Sequence, residues 1–115
     1  MKAAHSKISI QQDPAAFIAI HQLLQRYTDV INRRDWEALP ELFWEDAIWQ
    51  ALKPVDMQLA GLAAIREGIP ASVSRTSFLV QFATGVVIEL DNGFSAKVRS
   101  HLSELGAFLQ TGKGL

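Results

Sequence analysis

Residues 76–110 read TSFLVQFATGVVIELDNGFSAKVRSHLSELGAFLQ, and the fold follows from how this stretch pairs with itself. Before Asp91-Asn92-Gly93, the residues Phe78, Val80, Phe82, Val86, Ile88 and Leu90 alternate with Leu79, Gln81, Ala83, Gly85, Val87 and Glu89. After it, Phe94, Ala96, Val98 and Leu102 alternate with Ser95, Lys97, Arg99, His101 and Ser103. A period of two predicts two strands, each with one apolar face. A two-residue turn at Asn92-Gly93 would set Leu90 opposite Ser95 and Ile88 opposite Lys97, mixing the faces. A three-residue loop, Asp91 to Gly93 with Gly93 left-handed, pairs Leu90 with Phe94, Ile88 with Ala96, Val86 with Val98 and Phe82 with Leu102. A one-residue slip would turn every side chain to the opposite face, so the register that keeps apolar residues together is the expected one. It sets His101 beside Ala83 and near Arg99 and Gln81, on the more polar face. Arms of this length are expected to carry a bulge.

Upstream, the spacing predicts helices and short extended pieces that can pack on this hairpin. Asp13-Pro14 is a helix start, because Asp accepts free amide hydrogens and Pro at the first helical position has none to leave unpaired. Phe17, Ile20, Leu24, Tyr27 and Ile31 then recur every three or four residues, the buried stripe of a helix running to about Arg33, with His21 on its flank. Asp35 can cap a short second helix carrying Trp36, Leu39, Leu42 and Phe43, kinked or divided at Pro40. Ala47 to Gln50 predicts a strand, and Val55 to Leu59 a second extended piece. Gly61 opens a third helix, Leu62 to about Gly68, which Pro70 ends or bends. Residues 1–12 read as a mobile arm, and 13–115 as one domain. Helices followed by long antiparallel strands predict an α+β domain, with a cavity at the wide end of a curved sheet.

Composition narrows the function. The chain has 115 residues, a net charge of −1, 49% hydrophobic residues and no cysteine, with a mean hydropathy of +0.10. This is enough chain for a single unstapled core. Arg33-Arg34 is the one basic doublet, so nucleic acid is not an expected partner. Without cysteine there is no disulfide or thiolate chemistry, which fits a reducing cytoplasm. The start, Met1 to Ser6, has no apolar signal core, and no run reaches the length needed to span a membrane.

Ile20-His21-Gln22-Leu23-Leu24-Gln25-Arg26-Tyr27-Thr28-Asp29, then Arg34-Asp35-Trp36-Glu37-Ala38-Leu39, Leu42-Phe43 and Glu45-Asp46-Ala47, resembles the SnoaL-like group of the nuclear transport factor 2-like superfamily. Gly61 with Ala64-Ile65-Arg66 resembles the segment that follows there, and with the hairpin the likeness covers roughly 15 to 110. The resemblance implies a cone: a curved antiparallel sheet wrapped around a long N-terminal helix, with two shorter helices. The superfamily holds dehydratases, isomerases, cyclases and non-catalytic binding proteins, so the resemblance implies a pocket more than a reaction. Scytalone dehydratase-like members use a Tyr and an Asp on the first helix, a Tyr on the first strand and two His on the long strands. By motif, Tyr27 and Asp29 fall in the helical region and His101 matches one histidine. Trp49 stands near the strand tyrosine and Phe78 near the other histidine. Such chains usually continue through at least one further strand, whereas this one stops at the turn-like Thr111 to Leu115, so the last family strand or strands are expected to be lacking.

His101 is the main candidate for proton transfer, since an unperturbed imidazole titrates near pH ~6.5. Asp29 is expected to support it as a carboxylate partner, and Tyr27 as a hydroxyl; each also has a plainer place, on a solvated surface and in the core respectively. Trp49, Met57, Phe78 and Phe82 are expected as core or substrate-binding wall, and Arg99 as the partner of an anionic group or a surface charge. His5, His21 and His101 lack metal-ligand spacing, so neither metal nor cofactor is expected. There is no Gly-x-Ser-x-Gly elbow. Gly106 to Lys113 has five residues between its glycines where a phosphate loop has four. Two readings stay open. One is a cofactor-independent isomerase or lyase acting on a hydrophobic cyclic metabolite; the other is a non-catalytic binding or structural subunit. In either case a homodimer through the open face of the sheet is expected.

Overall fold

The helix that begins at Asp13 is organised by what its far end holds. The computed structural model describes residues 13–91 and 95–109. The expected arm at 1–12, the conformation of Gly93, the pairing of Phe94 and the turn at 111–115 lie outside them. Helix α1 spans Pro14–Arg33; the Asp13 carboxylate accepts from the Ala16 amide at 3.1 Å. At the other end Arg34 takes a left-handed conformation, φ 54°, with its amide bonded to Ile31 O and the Asp35 amide to Val30 O. A non-glycine residue there costs about 1–2 kcal/mol. The cost is offset locally, because the Arg34 guanidinium donates to Thr76 O at 2.9 Å and to Thr76 Oγ1 at 3.0 Å.

After α1 the chain makes a 3₁₀ turn, Leu39–Leu42, with Pro40 in its first turn, in place of a second α-helix. Strands β1 (Ile48–Ala51) and β2 (Met57–Ala60) form an antiparallel hairpin in which Trp49 pairs with Leu59. Helix α2, Leu62–Val73, runs straight through Pro70, beyond the expected stop near Gly68. Its stripe Ile65, Ile69 and Val73 is buried, at about 1.5–3 kcal/mol per side chain. Two such residues beyond Gly68 outweigh the roughly 3 kcal/mol that an interior proline costs. The core is Val30, Ile31, Leu39, Ile65, Ile69 and Val73, with Tyr27, Trp36, Trp49, Leu59 and Leu79 packed around it.

Strands β3 (Thr76–Leu90) and β4 (Ala96–Phe108) form the long hairpin, and its register differs from the expected one. Leu90 pairs with Ala96 and Ile88 with Val98, one pair further along than anticipated. The Asp91 amide bonds to Ser95 O at 3.0 Å, so the connection is 92–94 and not 91–93. Between Thr84, paired with His101, and Val87, paired with Arg99, two β3 residues face one on β4. Gly85 sits in this bulge at φ 63°, where a side chain would be strained. The surplus residue reverses the alternation. On the turn side Val86, Ile88 and Leu90 face inward, whereas beyond the bulge Leu79, Gln81 and Ala83 do. Phe82 accordingly pairs with Ser103 and Ala83 with Leu102, and Phe78 and Phe82 lie on the outer face, 48% and 49% exposed. Helix α1 packs against β3. There the Asn32 side chain acts like a strand neighbour, donating to Gln81 O at 3.0 Å and accepting from the Gln81 amide at 2.7 Å.

Candidate functional site

Clamping β3 at Thr76 and Gln81 onto the end of α1 leaves a space between the inner face of the long hairpin, α1, the end of α2 and the β1–β2 hairpin. This cavity measures about 750 Å³. Its apolar wall includes Ile31, Val55, Val73, Leu79, Leu102 and Phe108; its polar groups come from Tyr27, Gln50, Ser72, Arg75, Thr76, Gln81 and Glu104. Leu102 and Phe108 are 50% and 63% exposed although they line it, so the cavity is open along β4.

Tyr27 lies on the cavity wall among core side chains, its ring edge-on to Phe43 at 6.2 Å. Trp49 Nε1 donates to the Tyr27 hydroxyl at 3.1 Å, and among the described residues that hydroxyl donates to nothing. Burial pushes the phenol above its usual range; the Trp49 bond opposes this and the Glu104 charge adds to it. Tyr27 therefore stays protonated and can donate a hydrogen bond into the cavity. Gln81 Nε2 donates to Glu104 Oε1, which fixes the amide orientation, because the opposite one would set oxygen against oxygen. Gln81 is 8% exposed, and its Oε1 is buried without a partner among the described residues.

Of the residues singled out from sequence, Tyr27 and Trp49 meet in this cavity. The others fall elsewhere. His101 is exposed; it neighbours Leu102 on β4, and since Leu102 faces the cavity, His101 points to the outer face. There it lies over Gly85 and lines a separate depression of about 570 Å³ with Arg99, Ser100, Val87 and Val98. Asp29 is exposed on α1 and pairs with Arg33 at 3.4 Å. Arg99 pairs with Glu89 at 3.2 Å, also at the surface. Met57 is half-buried on β2 and does not line the cavity, and Phe78 and Phe82 are turned away by the bulge. His101, Asp29 and Tyr27 are thus not brought together. Glu104, Gln81 and Arg75 were passed over in the sequence; the one signal that could have found them is Gly85, a glycine inside a strand, which marks a bulge and so a change of face. No group of three or more His, Asp or Glu that could hold a metal occurs among the described residues.

The family described as the SnoaL-like domain matches residues 16–113. The chain belongs to that family. As a SnoaL-like domain it has solved structural relatives in Novosphingobium aromaticivorans. A crystal structure named "Putative Scytalone Dehydratase", from strain DSM 12444, superposes with a TM-score of 0.76 at 16% identity, covering 86% of this chain and 65% of that one. A second, named "putative aromatic ring hydroxylase", has a TM-score of 0.68 at 24% identity, covering 77% and 63%. This SnoaL-like domain spans less than two-thirds of either relative's length, and at these identities the likeness speaks for the fold alone. No curated protein matches the sequence. Among the described residues no helix is long and apolar enough to cross a membrane.

Proposed function

We propose that this SnoaL-like domain binds a hydrophobic, cyclic small molecule in the cavity between α1 and the long hairpin. The observation that carries the reading is the wall itself: Leu79, Leu102 and Phe108 present apolar surface around a small set of polar groups, Tyr27 above all. Leu102 and Phe108 are left half or more exposed, and a flat ring lying against them would remove that surface from water. Thermal shift with a panel of substituted naphthols and cinnamates tests this. A ligand at 100 times its dissociation constant adds about 2.7 kcal/mol. The reading expects such a shift for ring compounds and none for open-chain alcohols of equal size; equal shifts for both would sink it.

A lyase or isomerase activity is the second reading, favoured by one observation: a protonated Tyr27 and the Glu104 carboxylate share the cavity wall. Proton transfer in this reading belongs to that pair, with Tyr27 donating to a substrate oxygen and Glu104 accepting a proton, and not to His101 on the outer face. Glu104→Gln would then abolish turnover while His101→Ala preserved it. A homodimer is the third element of the proposal, supported by the exposed apolar side chains of the hairpin.

A further inference from the structure

Two charged residues line the cavity, Glu104 and Arg75, and they form no ion pair with each other. Glu104 lies opposite Gln81, to which it is bonded. Arg75 directly precedes Thr76, and Thr76 pairs with Phe108 at the other end of the cavity wall. Thr76 and Gln81 are five positions apart on β3, which at strand rise is about 16 Å. Among the described residues the Arg75 guanidinium makes no hydrogen bond or ion pair, unlike Arg26, Arg33, Arg34 and Arg99, each of which is engaged; Arg66 on α2 makes none either, but it does not line the cavity. At the other end the polar atoms are mostly acceptors. Glu104 takes one bond, from Gln81, and Gln81 Oε1 has none. The Tyr27 hydroxyl accepts from Trp49 and, among the described residues, keeps its own proton free to donate there.

We propose that the cavity takes a ring compound with an anionic group at one end, held by Arg75, and a hydroxyl at the other, placed between Glu104 and Tyr27. A hydroxyl both donates and accepts, so it can give its proton to Glu104 and receive one from Tyr27. An anion fits a guanidinium through paired, charge-assisted bonds. The charges also fix orientation, because a carboxylate turned toward Glu104 would meet a like charge across an apolar wall. The span suits an aromatic acid of one ring with a short side chain. This inference rests on the cavity being a ligand site, and it adds the class of ligand.

Calorimetric titration with three probes tests it: 4-hydroxycinnamate, its neutral amide, and cinnamate without the hydroxyl. The wild type is expected to bind 4-hydroxycinnamate about tenfold more tightly than either partner compound, the difference one charge-assisted bond makes. Arg75→Gln should erase the preference for acid over amide. Glu104→Gln should erase the preference for 4-hydroxycinnamate over cinnamate. Equal affinity of the wild type for acid and amide, or a preference that survives Arg75→Gln, overturns the proposal and leaves the cavity as a general ring-binding site. Binding of none of the three by the wild type overturns both this proposal and the reading beneath it. The wild-type comparison needs no variant, so it stands even if a variant fails to fold.

Discussion

Tyr27 does two things with one oxygen: it satisfies a half-buried indole and keeps a proton of its own available at the cavity wall. Removing that oxygen leaves Trp49 Nε1 without its acceptor. Tyr27→Phe is therefore expected to cost about 1 kcal/mol, the net worth of a hydrogen bond to a half-buried donor. At roughly 4–8 °C per kcal/mol this is measurable by calorimetry. The pH dependence has a definite sign. Burial raises the phenol in the folded chain above its unfolded value of 10.0. The folded state thus holds this proton more tightly, and the stabilisation is complete below pH 10 and lost as pH rises through the folded value. Urea midpoints measured from pH 9 to 11 should fall less steeply in Tyr27→Phe than in the wild type; identical slopes would contradict the burial of that hydroxyl. His101→Ala, by contrast, is expected to leave ring-compound affinity within experimental error, since its imidazole sits on the outer face beside Gly85.

Strand β3 is held from two sides, by β4 along one edge and by the side chains of Asn32 and Arg34 along the other. Asn32→Ala removes a donor and an acceptor from the backbone of Gln81, and a loss of about 1–3 kcal/mol is expected on chemical denaturation. A change below about 0.5 kcal/mol would mean that water replaces the amide at no cost. Gly85→Ala should cost about 1–2 kcal/mol from the left-handed backbone alone, and the added methyl would come within 3.1 Å of His101 Nδ1. How much of this could be read in advance differs by element. Helix α1 was legible because Asp13-Pro14 and the stripe from Phe17 to Ile31 are local signals, and every one of them points the same way. The face of β3 was not. Phe78, Val80 and Phe82 look like the inner face by alternation, and only the backbone of Gly85 turns them out. The candidate residues divide partly along the same line: Tyr27 and Trp49 lie on elements without a bulge and meet at the cavity, Gln81, Glu104 and His101 take their faces from the bulge, and Asp29 and Met57 miss the cavity from α1 and β2 for reasons of their own.

The whole molecule is long for its mass, 60 × 32 × 25 Å. Among the described residues its core of six buried apolar side chains sits at the α1–α2 end, while Leu105, 62% exposed, stands on the hairpin with Phe78 and Phe82. Exposed apolar side chains on a strand with an open edge favour pairing with another chain. Sedimentation at micromolar concentration is expected to give twice the 12.7 kDa chain mass, and Leu105→Asp to give the single mass; a wild-type monomer would refute the pairing. The bulge carries one more implication, for length. On either side of Gly85 the strand pairs as though that residue were not counted: remove it, and Val86 would stand opposite Ser100, Thr84 opposite His101 and Gln81 opposite Glu104 as before. An in-frame loss of this one codon would thus keep every side chain on its present side of the sheet, whereas loss of any neighbour would force the glycine to take up the slack. In this hairpin deleting a residue is expected to be milder than replacing it, and chain length can drift here by one without rewriting the cavity.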